Sequence, residues 1–264
     1  MTMLQATVEG IGFWCNGLPS WEAARSYVRN GENPDAAPAK PSPQLLAANE
    51  RRRAPETVAV ALEAALAACQ AAGRDPATLP SVFTSTHGDL AITDYMCATL
   101  ASEPRTISPT RFHNSVHNAA AGYWTIGVGA LQPATAISAF DTSFAQGLLE
   151  TMTQLATGTE AVLLVGYDSQ STGPLARVSP SNGLLGGALV LSRTPKAGAP
   201  RLQLRLQYDD NAEIPESDGP LSQLAKSNAM APMLPLFEAL AIGQDALRLP
   251  AGPGQWLQIG IAHD

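Results

Sequence analysis

Between residues 81 and 168 the chain alternates short β-branched runs with helix-length segments, an order that few folds accept. SVFTST (81–86) reads as a strand and 89–102 as a helix, and a small-residue helix follows at 117–130. The strand ATAISAF (134–140), a helix at 143–157 and the strand AVLLVGYD (161–168) complete the series. Strands joined through helices imply a mostly parallel, mixed sheet with helices on both faces, an α/β architecture. Upstream, LQATVEGIGFWC (4–15) reads as a further strand, and the proline-rich, polar GENPDAAPAKPSP (31–43) as a loop. A helix is expected from Pro55, a residue suited to a first helical position, with Glu56 at the positive end of its dipole. Val58, Leu62, Ala65, Leu66 and Cys69 recur on one face of it, up to about Ala72. GGALVLSR (186–193) and RLQLRLQYD (201–209) are expected to pair as antiparallel neighbours. In the tail, a helix over residues 220–242, kinked or split by Pro232 and Pro235, leads to the strand QWLQIGIAH (255–263).

The balance of charge narrows the function. A net charge of -7 over 264 residues argues against binding a nucleic-acid backbone, which relies on clustered Lys and Arg. Only 15% of residues are charged and 45% are hydrophobic, which implies a large buried or partner-covered surface. No run reaches the roughly 18 apolar residues of a membrane-spanning helix. MTMLQATVEG lacks the basic start and apolar run of a secretory signal. Cys15, Cys69 and Cys97 stand at unrelated spacings, so neither a disulfide framework nor a zinc site is indicated. No metal or cofactor is expected, and the reducing cytoplasm is the expected compartment.

Three stretches carry a family resemblance. SPTRFHNSVHNAAAGYWTIGVGA (108–130) holds an N-x-x-A-G core at Asn118, Ala121 and Gly122. ATAISAFDTSFAQGLLETMTQLATGTEAVLLVGYD (134–168) runs from strand to sharp turn, helix, a Gly-acidic turn at Gly158 and Glu160, and strand. NERRRAPETVAVALEAA (49–65) sets three arginines before a long helix. In this order and spacing they resemble the β-ketoacyl synthase N-terminal domain family of the thiolase superfamily. The resemblance implies a thiolase-like fold, with a ketosynthase-like N-terminal domain at 1–200 and a reduced strand–helix–strand remnant of the second half at 201–264, packed on the same core. Within the superfamily the sequence is most similar to compact members found beside aryl polyene and xanthomonadin-type pathways. Those members resemble chain-length factors, the inactive partners of true ketosynthases.

A ketosynthase carries a cysteine at the strand-to-helix turn, where the helix N-terminus activates a thiolate that accepts the acyl chain as a thioester. Counting back from Gly158 and Glu160 places Asp141 at that position. Acyl transfer to a carboxylate would give a mixed anhydride, uphill from a thioester. The two histidines and the lysine that a second half contributes are absent from the tail, whose only histidine is His263. Asp141 then reads most simply as an N-cap for the helix starting near Ser143. Ser143 lacks a G-x-S-x-G elbow. His113 and His117 are four apart without a third metal ligand, in a stretch (111–115) read as loop, so a structural role is expected. Asn114 and Asn118 are expected to satisfy backbone groups at the helix entry, and the glycines of NGLLGGALVL (182–191) to serve a turn and close strand packing. Arg51, Arg52 and Arg53 fit either a solvated helix entrance or a face for an acidic carrier protein.

The resemblance also implies that the strand before the turn pairs with a counterpart across a two-fold axis. It implies that residues near Val116 and His117 close the partner's acyl tunnel. Asn118, Tyr123, Trp124, Ile137, Ser138, Phe140, Asp141, Ser143 and Phe144 are the further tunnel or interface candidates. The function so implied is that of a non-catalytic, chain-length-factor-type subunit. It would pair with a full-length β-ketoacyl synthase as a heterodimer, or with itself, and meet acyl carrier protein in polyene, polyketide or fatty-acid-type biosynthesis. Two alternatives stand beside it. One is an acyl-thioester transferase or hydrolase using Asp141 or Ser143 with His113 or His117. The other is a homodimer that binds acyl chains or carrier protein without catalysis.

Overall fold

Two strands with every residue buried, AVLLVGYD and LGGALVLS, form the centre of the molecule. A computed structural model describes residues 3–209 and 217–263. The first half runs β1 (Leu4–Cys15), α1 (Trp21–Asn30), α2 (Ala48–Arg51), α3 (Glu56–Ala72), β2 (Ser81–Thr84), α4 (Leu90–Ser102), α5 (Pro109–Asn114), α6 (Ala119–Val128) and β3 (Ala134–Ile137). The second half runs α7 (Ser143–Ala156), β4 (Ala161–Asp168), β5 (Leu185–Ser192), β6 (Arg201–Tyr208), α8 (Pro220–Leu224), α9 (Leu234–Ile242), β7 (Ala246–Gly252) and β8 (Gln255–Ala262). The strands make one sheet in the order β3-β2-β4-β5-β1-β6-β8-β7.

Helices cover both faces of this mixed sheet, as expected. Leu163, Val165 and Tyr167 of β4 meet α3 and α6, while Val162 and Leu164 meet the side that packs α7 and α9. The parallel share is smaller than the strand–helix alternation implies. Among the strands of the described residues, β3–β2 and β2–β4 are parallel and the other five pairings are antiparallel. Every antiparallel pairing involves a strand outside the alternating stretch: β1 comes from the N-terminal side and inserts between β5 and β6, and β5, β6, β7 and β8 follow the stretch. β5 and β6 are therefore not neighbours, contrary to the expectation from their sequence proximity.

The tail also departs from a helix followed by one strand. The helical stretch breaks at 225–230, ahead of Pro232, and Pro235 sits in the first turn of α9, where a missing N–H costs nothing. The hairpin β7–β8 then extends the sheet through β6. Pro250 lies on β7, the outermost strand, which tolerates it. The short helix α5 occupies a stretch expected as loop, capped by the Ser108 hydroxyl.

Helix α3 begins after Pro55 as the sequence implies, but it is buried nearly all round rather than along one stripe. Its alanines face the sheet while Leu45, Leu46 and α6 cover its outer side. The contact with β1 is backbone on backbone. A Cβ on Gly12 would stand 1.9 Å from the Ala64 carbonyl oxygen, and one on Gly10 2.2 Å from that of Ala68. Just past α3, Arg74 binds Glu9 of β1 through two hydrogen bonds of 2.7 and 2.9 Å and Glu160 before β4 through one of 2.8 Å. The Arg74 guanidinium holds the Glu9 carboxyl below its ordinary 4.5. A depressed carboxyl stabilises the fold above its ordinary value and loses that contribution as pH falls through the depressed one. Arg74→Ala should therefore cost about 1 kcal/mol at neutral pH, since the arginine is partly solvated. Urea titrations across pH should show the gap to wild type shrinking as pH falls below 4.5.

Candidate functional site

The turn that joins β3 to α7 is built by hydrogen bonds that leave one carboxylate free. The Ser143 hydroxyl accepts from the Ala139 N–H (2.9 Å) and donates to the Phe140 carbonyl (2.5 Å). The Thr142 hydroxyl donates to the Ala139 carbonyl at 2.7 Å. These clamps hold Phe140 at φ 55, the one positive-φ non-glycine among the described residues. Backbone strain of this kind persists only where the surroundings over-determine it. From the end of β2, the Thr86 hydroxyl donates to the Phe140 carbonyl (3.2 Å), and the Ser138 hydroxyl donates back to the Thr86 carbonyl (3.0 Å).

Asp141 follows Phe140 at the tip, exposed, its carboxylate making no hydrogen bond among the described residues. The expected cap is not made, because Thr142 occupies the cap position and α7 starts without a side-chain cap. Phe140 and Asp141 open onto a cavity of about 790 Å³ whose other walls include Ser179, the 217–222 and 228–235 segments, Glu238 and β7. Lys226 and Arg248 also line it, and no histidine does.

Behind the turn lies a buried polar cluster that the sequence analysis missed. Asp168, at the end of β4, accepts from the Ser85 hydroxyl (2.6 Å), the Thr86 N–H (2.9 Å) and the His87 N–H (3.4 Å). Burial pushes its carboxyl above the ordinary value, and the bonds from Ser85 and Thr86 oppose that. Burial lowers His87, against the pull of the Asp168 charge, and its Nε2 lies 2.5 Å from the Ser179 hydroxyl. Asn228 donates to the carbonyls of Asp168, Asn182 and Gly183, tying the C-terminal segment to the ends of the central strands. The sequence did hold a signal: STHGD (85–89) packs five polar or small residues after a short strand, and Asp168 ends the otherwise apolar run AVLLVGY.

The other sequence candidates divide by burial. Trp124, Ser143 and Phe144 are core residues, each no more than 1% exposed, and present no surface. His117 turns its ring inward, donating from Nε2 to the Ser85 carbonyl at 2.8 Å. His113, on α5, packs against Tyr123, so the two histidines do not act as a pair. Asn118, Ser138 and Val116 are exposed, Ile137 and Tyr123 half-buried. Cys15 and Cys69 are buried, which pushes both thiols up to about 12, and Cys97 is exposed on α4. No group of three metal-ligating side chains occurs among the described residues. No helix of the described residues is long and apolar enough to cross a membrane.

The mixed sheet thus sets one side chain, on a strained turn, at the mouth of a cavity beside a helix N-terminus. The chain belongs to the family Beta-ketoacyl synthase, N-terminal domain, which matches residues 21–257. Its fold is also that of a chain in the complex of the ketosynthase ApeO with its chain length factor ApeC from Xenorhabdus doucetiae. The identity there is 22% and the TM-score 0.73, over 97% of this chain and 99% of that one. The ishigamide ketosynthase/chain length factor matches at 13% identity and TM-score 0.74, over 98% and 99% of the two chains. The AntDE:AntF complex, a type II polyketide synthase acyl-carrier protein with its ketosynthase, matches at 13% and 0.75 over the full length of both. No curated protein matches the sequence.

Proposed function

We propose that this chain is a non-catalytic, chain-length-factor-type subunit that pairs with an active β-ketoacyl synthase and shapes its acyl tunnel. The observation that carries this reading is Asp141. The residue at the tip of the strained turn is a free carboxylate, with no thiol in its place and no imidazole bonded to it. Three chains of similar fold come from complexes of a ketosynthase with a chain length factor or with an acyl-carrier protein, and those three share this chain's compact length. Residues 1–200 serve in this reading as the ketosynthase-like half. Residues 201–264 are the reduced remnant, continuous with the same sheet through β1 and β6. A carrier protein would meet the assembled pair, and the pathway would be of the polyene, polyketide or fatty-acid type, in the cytoplasm.

Surface chemistry supports a partner. β3 lies at the edge of the sheet, and its ATAI sequence has no charge to deter pairing. Around it Leu131 is 99% exposed, Ile126 79% and Phe140 57%, with Val116 and Phe112 also in the open. An uncharged strand edge flanked by large apolar side chains is what a second subunit covers. The alternative, an acyl-thioester hydrolase or transferase using Asp141 or Ser143 with His113 or His117, is not favoured by their placement. Ser143 is buried and doubly bonded, and neither His113 nor His117 contacts it or Asp141.

Because Asp141 makes no bond, Asp141→Ala should change the stability of the chain by no more than about 0.5 kcal/mol. Condensation by a reconstituted ketosynthase pair should also be unaffected. A loss of acyl transfer in the Ala variant would show that the carboxylate acts chemically.

A further inference from the structure

A second cavity, of about 670 Å³, opens beside the N-termini of α3 and α4, and its lining includes Arg53, Arg111, Asn114 and Thr172. Asn114 is 4% exposed, yet its Oδ1 has no hydrogen-bond partner, and the buried Oγ1 of Thr172 has none either. Buried polar atoms in native proteins are nearly always paired, so two orphans lining one cavity point to a missing polar ligand. Turned either way, the Asn114 carboxamide offers that ligand a donor or an acceptor.

The charges at this cavity define the ligand further. Neither arginine pairs with a carboxylate among the described residues; Arg111 lies 3.9 Å above the Tyr95 ring and Arg53 is exposed. The two acidic side chains of the lining are engaged elsewhere. Glu56 is paired with Lys40, and Asp89 accepts from the Thr57 hydroxyl (2.8 Å) and caps α4 through the Ile92 N–H (2.9 Å). Two guanidinium groups without a carboxylate partner match a dianion, and their planar donors suit a phosphate group. The orphaned amide and hydroxyl ask for a polar body attached to it, and the volume is that of a small-molecule site.

We infer that this cavity binds a phosphate monoester with a hydroxyl- or amide-bearing body, held by Arg53 and Arg111 at the phosphate and by Asn114 and Thr172 at the body. The site shares no residue with the turn at Asp141, and the inference does not rest on the reading proposed for that turn.

Calorimetric titration of the full chain with inorganic phosphate, adenosine 5′-monophosphate, glucose 6-phosphate and 4′-phosphopantetheine tests it, each organic probe being run beside its dephosphorylated form. At least one monoester should bind at least about tenfold tighter than both its dephosphorylated form and inorganic phosphate. The organic probe preferred identifies the source of the ligand. Arg53→Ala and Arg111→Gln should each weaken that binding by about tenfold or more. Asn114→Leu should weaken it too without lowering Tm, because the amide has no internal bond to lose. The inference is overturned if no monoester binds below millimolar concentration, if binding is unmoved by the two arginine variants, or if Asn114→Leu lowers Tm and leaves affinity unchanged.

Discussion

Aspartates in place of Ile126 and Leu131 are expected to abolish association with a ketosynthase while the chain itself remains folded. Both side chains stand in solvent, so their replacement should move the stability of the isolated chain by no more than about 0.5 kcal/mol. At a covered interface each aspartate would instead be stripped of water without a counter-charge, a penalty of several kcal/mol. The paired affinity should fall at least about a hundredfold. Size-exclusion chromatography of the co-expressed pair, beside thermal unfolding of the chain alone, separates the two effects. An unchanged complex would mean that the open edge at β3 is not where the partner sits.

The second large effect is on folding. Gly12→Val forces a side chain into a space where even a Cβ lies 1.9 Å from the Ala64 oxygen and 2.8 Å from the Ala68 nitrogen. Those atoms belong to the backbone of α3, so no rotamer change relieves the clash, and the helix must leave the sheet. Overpacking with a backbone shift costs about 1–3 kcal/mol in favourable cases, and more where backbone meets backbone. Set against a total stability of roughly 5–15 kcal/mol, the variant should be grossly destabilised or insoluble. A midpoint in urea within a few tenths of a molar of wild type would contradict the packing described for β1 and α3. Gly31, by contrast, has open space around its Cβ position and only its positive φ to defend, so Gly31→Ala should cost far less.

Much of the site was legible because it is written in local spacing. The distance from the Gly158–Glu160 turn back to the strand end put Asp141 between strand and helix, and in the structure it directly follows Phe140 in that turn. The helices at 56–72, 90–102 and 143–156 and the strand at 161–168 fall close to where periodicity placed them. What periodicity does not encode is direction or neighbourhood. Nothing in LQATVEGIGFWC says that it inserts between β5 and β6, antiparallel to both. α1 was missed although Ser20 caps it, and β7 was missed because Pro250 interrupts its pattern. Trp124 was taken for a surface residue beside Tyr123. On a helix, Ala120, Ala121 and Trp124 share one face, and that face is buried. The cap predicted for Asp141 failed because the hydroxyls of Ser143 and Thr142 already satisfy the turn, leaving the carboxylate free. The Asp168 cluster draws on residues far apart in sequence, from Ser85 to Asn228, and only the fold brings them together.

In the proposed function this chain completes another subunit and does not itself condense acyl groups. Reconstitution with a cognate ketosynthase, an acyl carrier protein and extender units tests it most directly, with product length read by mass spectrometry. Full activity and defined product length should require both chains, appear as a one-to-one complex, and persist with Asp141→Ala. A ketosynthase equally stable and active alone, or condensation by this chain alone, would contradict the account.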